Sequence, residues 1–159
     1  MLLGGTAWTQ KTSATPSGEI MYHVCQRSFY DSDGDLQGDL NGLRQKLPYL
    51  QDLGVSSILL FPLYESDCYH NYFANNFETI DPEFGSMQAY IELVQEIHRL
   101  GMKVYLDMET QYVTSTHLWW QDAVGNLNSP YADYLLFDDA AHLQPATMVF
   151  DLRFLKGYD

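Results

Sequence analysis

Gly54-Val55-Ser56-Ser57-Ile58-Leu59-Leu60-Phe61-Pro62 is the stretch on which the fold turns. Its apolar run has the length of a strand, follows a glycine and closes at a proline, which cannot donate to a ladder. Upstream, Leu40, Leu43, Leu47, Leu50 and Leu53 recur at three- and four-residue spacing, the period of one helix face, with Gly54 placed to cap its C-terminus. Pro48 is expected to divide that helix into two short ones, opening the second. Downstream, Ser86 is placed to cap a helix that buries Met87, Tyr90, Ile91, Val94 and Ile97 and ends at Gly101. Lys103–Met108 (KVYLDM) reads as a third strand, and Tyr22–Cys25 (YHVC) as the first. Strand, helix, strand, helix, strand is the order of βαβ units, so the fold class is α/β with a parallel sheet.

Two further stretches lack such punctuation. Residues 63–85 read as one long irregular segment, and residues 117–159 are rich in aromatic and turn residues without a clear period. Three strands and two helices cannot close a (β/α)8 barrel, which takes about 250 residues. The chain is either a small open α/β domain or the first part of something larger. The unsatisfied edge of the third strand favours the second.

With 159 residues, 46% hydrophobic and 18% charged, the chain has the composition of an ordered globular protein. Its net charge of −13, with only 8 basic residues, excludes nucleic acid as a partner, because phosphate binding needs clustered Lys and Arg. No stretch approaches the roughly 20 apolar residues of a membrane span. The 12 tyrosines suit stacking on the apolar faces of sugars, although aromatic rings serve cores as often. Cys25 and Cys68 have neither CxxC nor metal-site spacing and are expected to be free and buried. Met1–Ala7 (MLLGGTA) and the polar run Gln10–Gly18 resemble the end of a secretory signal and a linker, without a basic start, which gives an extracytoplasmic expectation.

The sharpest chemical signal is Asp31-Ser32-Asp33-Gly34-Asp35-Leu36-Gln37-Gly38-Asp39. Carboxylates at alternate positions in a glycine-containing loop can converge on one hard cation. An EF-hand is excluded, since Leu36 stands where its sixth-position Gly belongs and Gly42 where its twelfth-position Glu belongs. The loop otherwise reads as a solvated turn in which Asp39 caps the helix starting at Leu40.

The residues resemble the α-amylase superfamily, glycoside hydrolase family 13. Arg27–Leu43 (RSFYDSDGDLQGDLNGL) is similar to the family's first strand-to-helix loop, Lys46–Val55 to its first helix, and Leu59–Leu63 to its second strand. Tyr69-His70-Asn71-Tyr72 stands where the family has a Tyr-His-Gly-Tyr type motif, and Ile80–Met87, Leu100–Val104, His117–Trp120 and Ser129–Tyr134 are further matches in order. The resemblance covers roughly residues 20 to 135.

It implies a TIM-barrel catalytic domain with retaining α-glycoside chemistry and a smaller domain B inserted after the third strand. Residues 1–19 are then a possible signal remnant and linker, residues 20–109 the first β/α units of an incomplete barrel, and residues 110–159 the start of domain B. The family's nucleophile lies in a Gly-x-Arg-x-Asp motif, but Arg27, Arg44, Arg99 and Arg153 are each followed by other residues, so no catalytic residue is assigned and the chain is expected to be an inactive fragment. By resemblance, Tyr72 stacks on the sugar, His70 is a neighbouring polar contact, and Asp107 opens the family's Asp-x-x-x-Asn-His segment. Gln111 and Tyr112 replace that Asn and His, which in the family serve a structural calcium and the substrate's primary hydroxyl. The substrate-binding set is thus Tyr72, His70, Asp107 and Tyr112. Some α-glucosidase-like members hold structural Ca2+ through residues matching Asp31, Asp33, Asp35 and Asp39, with the Gln37 carbonyl. The implied substrate is an α-glucan such as starch or maltooligosaccharides, and the implied activity a glycoside hydrolase. A transglycosylase or isomerase of the same family, or a non-catalytic carbohydrate- or partner-binding relative, would share these motifs.

Overall fold

The computed structural model describes residues 18–146, 148–149 and 152–155. The stretch Met1–Ala7 and the run from Gln10, except Gly18, lie outside them. Strand β1 (Met21–Val24) is followed by a short 3-10 turn, helix α1 (Leu40–Asp52), strand β2 (Ser57–Leu60), a hairpin of β3 (Tyr64–Glu65) and β4 (Asn76–Ile80), helix α2 (Met87–Arg99) and strand β5 (Lys103–Leu106). Then come β6 (Tyr112–Thr114), α3 (Leu118–Ala123), β7 (Met148–Val149) and β8 (Leu152–Phe154).

The expected α/β core is present. The strands β1, β2 and β5 form one parallel sheet in that order. They run in step, Met21 opposite Ser57 and Ser57 opposite Lys103, so their C-terminal ends at Val24, Leu60 and Leu106 lie side by side. The ladder continues one residue further, with Phe61 N–H donating to the Val24 carbonyl and Asp107 N–H to that of Leu60. Cys25, Phe61 and Asp107 thereby share one edge. The hairpin of β3 and β4 is antiparallel, as is the sheet ordered β6, β8, β7.

Leu40, Leu43, Leu47 and Leu50 are fully buried against Ile58, Leu60, Leu93 and Ile97 in one cluster. Complete burial of such side chains contributes on the order of 1.5–3 kcal/mol each. A second cluster gathers Val113, Trp120, Ala123, Leu135 and Leu155 around the later elements. Asp39 caps α1 by accepting from Gly42 N–H at 2.8 Å, and Ser86 caps α2 by accepting from Ala89 N–H at 3.2 Å. Both helices end in a left-handed glycine, Gly54 with φ 89° and Gly101 with φ 75°.

Several expectations are corrected. Pro48 does not divide the helix: α1 runs unbroken through it, because Leu47 and Leu50 on either side are both anchored in the core and the exposed proline withholds only one N–H. Leu53 is 56% exposed, since it lies past the last helical turn as the C-cap. In α2 the inward face is Ala89, Leu93 and Ile97, spaced by four, while Met87 and Ile91 face solvent and Tyr90 and Val94 are half-buried. Five apolar residues subtend a wider arc than the core can cover, and small Ala89 sets where the helix approaches closest. The hairpin within residues 63–85 escapes sequence reading because β3 has only two residues and its pairing with β4 is irregular.

Candidate functional site

The site is built on the strand ends. Asp107 ends the β5 ladder, and its carboxylate Oδ2 accepts from the Tyr72 hydroxyl at 2.5 Å. His23, near the end of β1, places Nε2 4.0 Å from the same oxygen. Burial, then the hydrogen bond to the anionic Asp107 and that group's charge, push the Tyr72 phenol up to about 12. Tyr72 therefore stays protonated at neutral pH and donates permanently to Asp107.

Rings surround this pair. Phe61, at the end of β2, lies edge-on to Tyr72 at 5.8 Å and tilted against His23 at 4.6 Å. His70 sits 5.6 Å from Tyr72, and its Nδ1 accepts from the Tyr72 N–H at 3.1 Å. Phe73 then meets His70 at 4.9 Å and Tyr112 at 5.7 Å, and Tyr112 meets Phe154 at 6.0 Å. Centroid spacings of 4.5–7 Å in edge-to-face arrangements are favourable for aromatic pairs. The four expected binding residues Tyr72, His70, Asp107 and Tyr112 thus fall on one connected set of contacts. Tyr112 is half-buried in β6 with its phenol pushed upward, first by burial and then by the Glu109 charge. Gln111 is turned inward at its backbone, its N–H donating to Glu109 Oε1 at 2.7 Å. Buried Tyr64 donates to the Glu109 carbonyl at 3.1 Å and ties β3 to the segment after β5.

Asn71 occupies the glycine position of the family motif for a visible reason. Its φ is 56°, a left-handed conformation that glycine adopts freely and asparagine tolerates better than most residues. It is 1% exposed, and its amide donates to the Tyr64 carbonyl at 3.1 Å and to Asp81 Oδ2 at 2.5 Å. The replacement preserves the turn.

In the acidic loop, Asp31, Asp33 and Asp39 each bring one carboxylate oxygen within 4.8 Å of the others. Ligands 2.3–2.6 Å from one Ca2+ are separated by up to about that distance, so these three fit such a cation. Asp35 stands outside the group, its Oδ1 accepting from Gln37 N–H at 2.8 Å, and the Gln37 side chain is turned to Arg27, leaving its carbonyl as the available donor. Asp31 accepts from the N–H groups of Gly34, Leu36 and Asp33, which hold its carboxyl below the usual carboxylate range. Asp39 serves as the helix cap and also accepts from Ser32 N–H and Oγ, so the capping role read from sequence is real.

Cys25 and Cys68 are free, as expected, but only half-buried, because each lies on a loop rather than inside a cluster. Sequence reasoning missed His23, Phe61 and Arg27 as parts of the site. His23 and Phe61 were within reach of it, since both stand at or beside parallel strand ends, where barrel enzymes place function. Arg27 gave no comparable signal, because its partners are distant in sequence.

Three parallel strands in step, with a helix after each of the first two, make a piece of a β/α architecture, and the Tyr72–Asp107 pair stands at its aligned strand ends. The chain belongs to the α-amylase family: the profile for "Alpha amylase, catalytic domain" matches residues 23–151. It is 38% identical over 118 residues to Alpha-amylase 3 of Dictyoglomus thermophilum, covering 74% of this chain and 24% of that protein. It is 36% identical over 138 residues to Alpha-amylase SusG of Bacteroides thetaiotaomicron, covering 83% of this chain and 20% of that one. The crystal structure of an α-amylase from H. orenii superposes with a TM-score of 0.76 at 30% identity, over 87% of this chain and 34% of the other. The chain therefore spans between a fifth and a quarter of the length of these curated relatives. Among the described residues, three parallel strands of the barrel are present and no closed barrel. No helix among them is long and apolar enough to cross a membrane.

Proposed function

We propose that this chain supplies part of the substrate site of a glycoside hydrolase that acts on α-glucans, starch or maltooligosaccharides, with retention of configuration. The observation that carries the reading is the Tyr72 hydroxyl on Asp107 at the strand ends. A phenol pinned at its oxygen presents its ring as a fixed surface for the apolar face of a glucose unit, and a half-exposed carboxylate beside it can accept sugar hydroxyls. His70 adds a polar contact, and Tyr112 extends the ring surface where the family carries His. Retaining hydrolysis needs a nucleophile and an acid/base about 5 Å apart. No Arg-x-Asp motif occurs in the sequence, so in this proposal those two groups come from outside residues 1–159.

Asp31, Asp33 and Asp39, with the Gln37 carbonyl, would hold one structural Ca2+, and Asp35 would join them only by turning inward from its bond to Gln37 N–H. The ion would offset the repulsion among the carboxylates and fix the loop; it takes no part in the reaction. The test of the whole proposal compares two proteins. The intact protein carrying this sequence should release reducing sugar from starch and from an aryl α-maltoside, and the isolated 159-residue chain should release none above a buffer blank. Turnover by the isolated chain that survives repurification refutes the assignment of catalysis to residues outside it. An intact protein inert on every α-glucan refutes the proposal itself.

A further inference from the structure

We infer that Arg27 is a positioning residue for Tyr72, acting through Asn71 and Tyr69 without touching the Tyr72 ring. Arg27 lies in the 3-10 turn after β1 with its side chain 9% exposed. Its Nε donates to the Tyr69 carbonyl at 3.0 Å and one Nη to Asn71 Oδ1 at 3.2 Å. The other Nη donates to Gln37 Oε1 and Glu83 Oε2, while Asp81 Oδ2 lies 4.0 Å from the Nη that holds Asn71. The guanidinium also packs over the rings of Tyr69, 5.5 Å from its centroid, and Phe84, at 4.9 Å. One planar fork therefore joins the end of the acidic loop, the 69–72 turn and the residues that lead into α2.

Its grip falls on the residues that aim Tyr72. Asn71 reverses the chain at φ 56° immediately before Tyr72, with both of its amide hydrogens donated, to Tyr64 and Asp81, and its Oδ1 accepting from Arg27. Tyr69, two residues earlier, is held at its carbonyl. With both sides of the turn fixed, the Tyr72 backbone has one direction in which to project its ring toward Asp107. A lysine could neutralise Asp81 and Glu83, but a single ammonium cannot serve Tyr69, Asn71 and Gln37 from one plane. That distinction separates positioning from simple charge balance.

The functional arm of this inference rests on the reading of Tyr72 as a sugar platform; the structural arm does not. Arg27→Lys is made in the chain labelled at tyrosine Cζ, with the Tyr72 resonance assigned by Tyr72→Phe, and in the intact protein for kinetics. The Tyr72 signal, which senses the hydrogen bond to Asp107, should move or broaden at neutral pH together with that of Tyr69, which Arg27 touches directly, while the tyrosine signals remote from Arg27 keep their positions. KM for maltooligosaccharides should rise about tenfold with kcat changed much less, the mark of a binding surface displaced rather than of chemistry lost. A Tyr72 resonance unmoved in folded Arg27→Lys overturns the inference. A displaced resonance with unchanged KM leaves Arg27 as a positioning residue and refutes the platform reading. If Arg27→Lys fails to fold, Asn71→Gly carries the test, since glycine suits the left-handed backbone but lacks the tether. It should displace the same resonance, and a wild-type Tyr72 signal in that variant overturns the inference.

Discussion

Gly42→Ala is expected to destabilise the chain although it improves the intrinsic helix propensity. Gly42 stands in the first turn of α1, where alanine would ordinarily gain about 0.5–1 kcal/mol over glycine. A Cβ at this position would lie 1.9 Å from the Tyr30 carbonyl oxygen and 2.8 Å from its carbon. Those are backbone atoms of the acidic loop, so the overlap cannot be relieved by turning a side chain. Helix and loop would have to separate by more than a rotamer change allows, and forced expansion of this kind costs about 1–3 kcal/mol. Separation also strains the Asp39 cap on Gly42 N–H, worth about 1 kcal/mol, and the bond from Asp39 N–H to the Tyr30 carbonyl at 3.2 Å, worth about as much. The net loss works out to about 2–4 kcal/mol, read as a lower midpoint in urea with an unchanged slope. Gly34→Ala is the control: no atom lies within 4 Å of its added Cβ, so only the strain of its φ of 91° is felt, about 1 kcal/mol. A Gly42→Ala chain as stable as wild type, or more so, would refute the close approach of the loop to α1.

Leu36 is 93% exposed with φ 75°, so Leu36→Gly should raise stability by up to about 1 kcal/mol in the same denaturation assay; a loss would show that the leucine makes a contact worth more than its strain. His117 is fully buried, caps α3 through Nδ1, leaves Nε2 without a partner, and is pushed down to about 4 by burial. The unfolded chain therefore binds the extra proton first, and stability contributed by the neutral ring is lost as pH falls from the ordinary histidine range toward 4, by about 3 kcal/mol at most. His117→Asn, which can still cap, should flatten that acid limb of the stability profile, and an unchanged limb would assign it to other groups. Calcium should raise the melting temperature of the wild-type chain and not that of Asp33→Ala, as linkage requires; calorimetry that detects no calcium binding to the folded chain would remove the site.

The parallel core was legible because its signals are local. Gly54, Gly101, Asp39 and Ser86 punctuate the helices through backbone geometry and caps that involve near neighbours, and the leucines of α1 repeat with the helix period. Pro48 misled because its local cost is outweighed by Leu47 and Leu50 in the core, which the residue itself does not announce. The hairpin of β3 and β4 was hidden because β3 is short and irregularly paired, and the sheet of β6, β8 and β7 because its strands are short and β6 pairs with β8 across a long sequence separation, Tyr112 meeting Phe154. The site divides in the same way. Tyr72, His70, Asp107 and Tyr112 came from motifs whose order survives in the sequence. The partnership of Tyr72 with Asp107, 35 residues apart, and the five-way commitment of Arg27 are facts of packing that no spacing encodes.

The central claim is that Tyr72 is the stacking surface of an α-glucan site, and kinetics of Tyr72→Ala and Tyr72→Phe in the intact protein test it most directly. Loss of an aromatic platform covered by ligand should cost about 1–3 kcal/mol, roughly tenfold to a hundredfold in kcat/KM. Tyr72→Ala should show that loss on maltooligosaccharides with a nearly unchanged melting temperature, and Tyr72→Phe, which keeps the ring and loses only its bond to Asp107, should fall between wild type and Tyr72→Ala. If Tyr72→Ala instead lowers the melting temperature and spares kcat/KM, Tyr72 is a packing residue and the proposed site is wrong.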